Sequence, residues 1–282
     1  MDALVTTEWL AGELGADDIR ILDATYFANF PGETPRDGRT EYEAAHIPGA
    51  AFFDIPAISD TASPLPTMLP PAEQFAAQVR ALGISDATRI VLYDNAPHKT
   101  AARAWWMLRT FGARQVAILD GGLAKWRAEG RPVASGAETP APGDFTATRN
   151  GDLVRAIGEM KANLDSHAEQ VIDARSASRF TGDEPDPRPG VASGHIPDSR
   201  HLVYSKLFNA DGTWKRGDAL RAEFDAAGLD LAKPFVTTCG SGITAAILLF
   251  GAHLLGADGA LYDGSWSEWG ADADAPKATG VA

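Results

Sequence analysis

An α/β protein built from two tandem copies of one domain, each a mostly parallel sheet with helices on both faces, is the fold expected from the sequence. An internal repeat and a regular alternation of apolar runs carry that expectation. Ile21-Leu22-Asp23-Ala24 answers to Val171-Ile172-Asp173-Ala174, and His46-Ile47-Pro48-Gly49 to His195-Ile196-Pro197-Asp198. The run Arg89–Asp94 answers to Pro234–Cys239, and Asp120-Gly121-Gly122 with Trp126 to Asp263-Gly264-Ser265 with Trp269. These pairs occur in the same order at nearly constant spacing, which is the signature of a duplication.

Within each copy, strand-length apolar runs alternate with longer segments of helical spacing. Ile90–Tyr93, Val116–Leu119, Val171–Ile172 and Phe235–Thr237 are the strand candidates, bounded by turn or charged residues. Ala72–Leu82, Ala101–Phe111, Leu153–Leu164, Leu220–Ala227 and Ile243–Leu255 are the helix candidates. Such alternation favours crossover units and a parallel sheet. The segment Arg131–Asn150, rich in Pro, Ala, Gly and Thr, has no steady period and reads as the connection. The expected organisation is a non-catalytic domain over 1–135, a linker over 136–150 and a catalytic domain over 151–282. The polar tail after Gly270 is expected to fray.

Composition excludes several functions. The 282 residues carry a net charge of −13, which repels phosphate backbones and argues against a nucleic-acid partner. No run approaches the roughly 18 apolar residues of a membrane span. The acidic start MDALVTTEWLAGELGADD lacks the positive charge and apolar stretch of a secretory leader, so a cytoplasmic protein is expected. Cys239 is the lone cysteine, which excludes an intramolecular disulfide and a multi-cysteine zinc site, and nothing calls for a metal or other cofactor.

That cysteine occupies the most informative segment, Phe235-Val236-Thr237-Thr238-Cys239-Gly240-Ser241-Gly242-Ile243-Thr244-Ala245-Ala246. An apolar strand ends, a small glycine loop follows, and a helix begins near Ile243 or Thr244. The carboxyl end of a parallel strand is where such sheets place their sites. Gly240 and Gly242 allow the backbone to wrap its N–H groups around the sulfur, and the helix start adds partial positive charge. Both effects favour thiolate, the nucleophilic form. A Cys-x5-Arg phosphatase loop is disfavoured because the sixth residue after Cys239 is Ala245. A cysteine hydrolase needs a histidine base, and Thr238–Ala246 supplies none, which leaves only the distant His46 or His195. The first copy has Asp94 at the matching position, so one copy is expected to be catalytic and the other supporting.

Taken together, Glu43–Asp54, Asp120-Gly121-Gly122-Leu123 with Trp126, Gly194-His195-Ile196-Pro197, Tyr262–Trp269 and the cysteine loop resemble the two-domain rhodanese superfamily of sulfurtransferases, over nearly the whole chain. The Cys-Gly-Ser-Gly form is similar to the branch that uses 3-mercaptopyruvate, whereas the thiosulfate branch usually carries basic residues after the cysteine. The resemblance implies a double displacement through a Cys239 persulfide, with a small-molecule sulfur donor and a thiol, thioredoxin-like protein or cyanide as acceptor. It implies that Gly240, Gly242, Ile243 and Thr244 line the anion site and that Ser241 helps protonate the leaving enolate. It also implies that Arg179 and Arg188 bind the substrate carboxylate, for which a guanidinium fork is well suited. Thiosulfate as donor, or a low-turnover sulfur carrier, are the alternatives. An Asp–His proton relay belongs to many members of the mercaptopyruvate branch; the matching positions here hold Pro56 and Thr67, neither of which ionises. Either water or Ser241 supplies that proton, or the preferred donor differs.

The remaining conspicuous residues have plainer expectations. His46 and His195 recur in both copies and read as structural. Trp105, Trp106, Trp126, Trp266 and Trp269 read as packing residues. Asp94, Asp120 and Asp263 read as turn or cap residues, and Asp183-Glu184-Pro185-Asp186 as a solvated acidic loop that pairs with nearby arginines.

Overall fold

The computed structural model describes residues 1–29 and 34–281, and it divides into two units. The first comprises Met1–Ala62, Leu69–Asn150 and Ala210–Trp214; the second comprises Ser63–Met68, Gly151–Asn209 and Lys215–Ala282.

The first unit runs β1 (Leu4–Val5), α1 (Thr7–Glu13), β2 (Ile19–Asp23), α2 (Gly38–Ala44), β3 (Ala50–Phe52), α3 (Ile55–Ile58), α4 (Ala72–Ala81), β4 (Arg89–Tyr93), α5 (Ala101–Thr110), β5 (Val116–Leu119) and α6 (Gly122–Ala128). Its five strands are all parallel in the order β1-β5-β4-β2-β3. Side-chain oxygens of Thr6, Asp37 and Asp54 accept N–H groups in the first turns of α1, α2 and α3, satisfying donors that a helix start leaves unpaired. All of Val116–Leu119 and of Ile90–Tyr93 is buried, so both sheet faces are covered, as a parallel sheet requires.

The second unit repeats this plan with β6 (Val154–Arg155), α7 (Ile157–Ser166), β7 (Gln170–Asp173), α8 (Ala177–Thr181), β8 (Arg200–His201), a 3-10 turn at Tyr204–Leu207, α9 (Gly217–Ala226), β9 (Phe235–Thr238), α10 (Ala245–Leu254), β10 (Ala260–Tyr262) and α11 (Ser265–Trp269). Its strand order, β6-β10-β9-β7-β8, is the first unit's order copy for copy. The cores match as well. Ile21, Ile47, Val91, Ala117, Leu123 and Trp126 pack in one cluster, and Val171, Ile196, Val236, Ala260, Trp266 and Trp269 pack in its counterpart.

The repeated histidines are structural in both units. His46 and His195 are buried, with Nδ1 bonded to the carbonyls of Tyr42 and Phe180, and each forms an antiparallel bridge, to Ala134 and to Ala278. All five tryptophans expected to pack are buried. Trp126 and Trp269 each donate their indole N–H to a proline carbonyl six or seven residues on.

Two local expectations are corrected. Helix α7 begins at Ile157, not Leu153, because Val154 and Arg155 pair with β10 as an edge strand; Glu159 then accepts the Ala156 N–H. The segment after Gly270 does not fray: Ala275 is buried, Ala278 bridges His195, and Gly280 donates to Thr181, although Ala282 lies outside the described residues. Residues 131–150, irregular in structure, follow the first unit through hydrogen bonds from Phe145 to Ile84, Thr148 to Phe111 and Asn150 to Thr110. Among the described residues no helix is long and apolar enough to cross a membrane.

Candidate active site

Cys239 immediately follows β9, the central strand of its sheet, and is 2% exposed. The loop that follows reaches α10 at Ala245, with Thr244 at the helix cap. Gly242 has φ +77°, a left-handed conformation that glycine adopts without steric cost.

The loop's carbonyls are tied down one after another. Cys239 O accepts the Trp266 N–H at 2.9 Å, and Gly240 O accepts both the Ser267 N–H at 2.9 Å and the Ser267 hydroxyl at 2.5 Å. Ser241 O accepts the Thr67 hydroxyl at 2.9 Å. In a planar trans peptide the carbonyl and the next N–H point in opposite directions. Anchoring the Cys239 and Gly240 carbonyls to α11 therefore turns the N–H groups of Gly240 and Ser241 away from that helix, and anchoring the Ser241 carbonyl to Thr67 turns the Gly242 N–H away from Thr67. Successive backbone N–H groups of a turn form an anion-binding nest. The Cys239 N–H donates to Ser265 Oγ at 3.3 Å, and that hydroxyl donates to Tyr262 O at 2.9 Å, which fixes the strand end.

The first unit holds the matching loop with a different occupant. Asp94 O accepts the Leu123 N–H, as Cys239 O accepts that of Trp266. The Asp94 carboxylate then accepts N–H groups from Ala96 at 3.2 Å and Ala101 at 2.9 Å. A built-in carboxylate thus uses the loop's donors in the first unit, where the second presents sulfur. Burial raises the Asp94 pKa above the usual carboxylate value. Asp120, expected to be a turn residue, instead accepts the Trp214 N–H at 2.8 Å.

Of the two arginines singled out in the sequence, Arg188 is brought to the loop. A Cβ on Gly240 would touch its Nη1 and Nη2 at 3.4 Å, so a longer side chain at Gly240 would displace the guanidinium. Arg188 also pairs with Asp186 at 3.2 Å, and the Asp186 side chain is 2% exposed. Arg179 pairs with Glu184 at 3.2 Å. Hydrogen bonds from Ser178 and then Arg179 hold the Glu184 carboxyl below its usual range. Gly240, Ser241 and Thr244 are partly accessible, while Gly242 and Ile243 are buried.

Sequence reasoning missed the supporting residues. Arg175 forms a buried ion pair with Asp173 at 2.6 Å, donates to Gly194 O at 2.8 Å, and lies 4.5 Å over the ring of Trp266. It thereby steadies the residue that holds Cys239 O. Ser265, Trp266 and Ser267 lay in a recognised repeat block, but their backbone contacts leave no pattern in the sequence. Thr67 stands out in the sequence only as a residue that does not ionise. Among the described residues no cluster of three or more His, Cys, Asp or Glu side chains is placed to hold a metal.

The sequence matches the rhodanese-like domain family over residues 6–129 and again over 156–272. It is 42% identical to human 3-mercaptopyruvate sulfurtransferase over 274 residues, which span 95% of this chain and 91% of that protein. The 3-mercaptopyruvate sulfurtransferase of Escherichia coli K12 is 42% identical over 96% of both chains, and the thiosulfate sulfurtransferase of Bos taurus is 42% identical over 95% of this chain and 91% of its own. The crystal structure of SseA from Escherichia coli superposes with a TM-score of 0.85 and 38% identity, covering 94% of this chain and 99% of that one.

Proposed function

The chain belongs to the rhodanese-like family, with two such domains in tandem, and from that premise we propose that it moves sulfane sulfur from 3-mercaptopyruvate through a persulfide on Cys239. The enzyme is a sulfurtransferase. The observation that carries the reading is the anchored loop: a cysteine at the end of a central strand, followed by three peptide planes each fixed through its carbonyl. A preorganised ring of amide dipoles stabilises an anion without a side-chain cation or a reorganisation cost.

In the first half-reaction the Cys239 thiolate attacks the donor's sulfur. An S–S bond forms, the C–S bond breaks, and its electron pair leaves on the carbon as the pyruvate enolate, which takes a proton to become pyruvate. Ser241 or water delivers that proton, since Pro56 and Thr67 hold no titratable group. Arg188, beside Gly240, binds the donor carboxylate, and Arg179 adds positive charge to the approach. Gly240, Gly242, Ile243 and Thr244 complete the anion site. In the second half-reaction a thiolate, from a small thiol or a thioredoxin-like protein, attacks the outer sulfur and Cys239 leaves as thiolate. No further cofactor is needed. A reduced thiol suits a reducing compartment, which supports a cytoplasmic address.

Thiosulfate is the second reading, favoured by the guanidinium of Arg188 beside the loop and by a thiosulfate sulfurtransferase relative at the same identity. Steady-state transfer to cyanide with each donor separates the two. A kcat/KM favouring 3-mercaptopyruvate, with pyruvate released stoichiometrically, is expected; a preference for thiosulfate would overturn the donor assignment, and turnover of neither would overturn the enzyme reading.

A further inference from the structure

We propose that Thr67 is a positioning residue of this site, holding one peptide plane of the cysteine loop in the orientation that favours a sulfur anion. The inference rests on the persulfide reading for its consequence, although its geometry stands without it.

Thr67 comes from Ser63–Met68, which lies in sequence between elements of the first unit and is nevertheless part of the second. Pro64 and Pro66 flank Leu65, and the Leu65 N–H donates to Ser63 Oγ, so the segment arrives with little conformational freedom to lose. Thr67 is 7% exposed and has φ +55°. A β-branched residue in that region is a true outlier, retained only where its surroundings over-determine it. From this conformation its hydroxyl reaches Ser241 O at 2.9 Å.

The three anchored carbonyls are not held alike. Those of Cys239 and Gly240 are bonded to backbone N–H groups of α11, which no substitution removes short of proline. The Ser241 carbonyl is held by a side-chain hydroxyl. Glycine at 242 tolerates both orientations of the preceding peptide, so the backbone itself does not select one. Turned over, that plane would put a carbonyl oxygen where the Gly242 N–H now points, and an oxygen lone pair there repels a thiolate or a persulfide anion held by the loop. The Thr67 hydroxyl selects the favourable orientation. Because it does not ionise near neutrality, it does so independently of pH.

Cys239 is the lone cysteine, so alkylation by iodoacetamide reports this loop directly and needs no sulfur donor. Thr67→Val keeps the volume and the branch but loses the donor; Thr67→Ser keeps the donor. At neutral pH, T67V is expected to alkylate, and to turn over 3-mercaptopyruvate at saturation, about tenfold more slowly than wild type, the effect of one orienting hydrogen bond. Its KM and melting temperature should stay near wild type, and T67S should recover most of the rate. Thr67→Ala gives the same readout with a smaller side chain should T67V fold poorly. Wild-type alkylation by both T67V and T67A, or a T67S variant as slow as T67V, would overturn the proposal. If wild type releases no pyruvate from 3-mercaptopyruvate while T67V still alkylates slowly, the donor assignment fails and the positioning role stands. If wild type turns over and T67V alkylates normally, the reverse holds.

Discussion

Replacing Arg188 with alanine separates a substrate-binding arginine from a structural one. Its guanidinium packs against Gly240 and pairs with Asp186, whose side chain is 2% exposed. Two losses of different kinds follow. The donor carboxylate loses a charge-assisted contact of about 2–3 kcal/mol, which raises KM for 3-mercaptopyruvate roughly 30- to 150-fold. On the proposed role the arginine meets a carboxylate that the reaction leaves unchanged, so kcat should change little. Asp186 meanwhile loses its cation but keeps the Arg188 backbone N–H at 3.0 Å, so the fold loses only about 1–3 kcal/mol. Pyruvate release measured against donor concentration, beside urea unfolding, reads both effects. Asp186→Asn combined with Arg188→Ala should recover the stability and leave KM high. An unchanged KM with reduced stability would show that Arg188 serves Asp186 alone and that the carboxylate binds elsewhere.

Two further perturbations test the supporting structure. Burial pushes the Asp23 carboxyl up to about 6, so the native state favours its neutral form; its contribution to stability is full below the usual carboxylate range and is lost as pH rises through about 6. Asp23→Asn should therefore be more stable than wild type, by a margin that widens by about 1 kcal/mol between pH 5 and pH 8 in urea melts; a pH-independent margin would contradict this. Arg175→Ala strands the buried Asp173 carboxylate and should cost about 3–5 kcal/mol, checked by the same melts, with a loss under about 1 kcal/mol refuting the ion pair's role.

The fold was legible because a duplication writes each signal twice. The paired His-Ile-Pro turns and Asp-Gly blocks mark equivalent places in two identical strand orders. Edge elements were harder. Val154–Arg155 is two residues long and abuts a helix, so its apolar residue counted toward the helical period. The tail from 271 onward is polar in composition, yet it is held by backbone bonds at Ala278 and Gly280 that any residue could make. The site divides in the same way. Cys239 and its glycines stand out because their chemistry demands those residue types. Trp266 and Ser267 act on the loop through backbone N–H groups, Arg175 acts through Trp266, and Thr67 reaches Ser241 from 174 positions away. Such contacts depend on tertiary placement, and local sequence carries no trace of them.

The most direct test of the Cys239 persulfide is the mass of the protein after exposure to 3-mercaptopyruvate with no acceptor present. The expected result is one added sulfur atom, located by peptide mapping at Cys239, with one equivalent of pyruvate released and neither seen in Cys239→Ser. Pyruvate release that persists in Cys239→Ser, or that leaves no sulfur on Cys239, would contradict it.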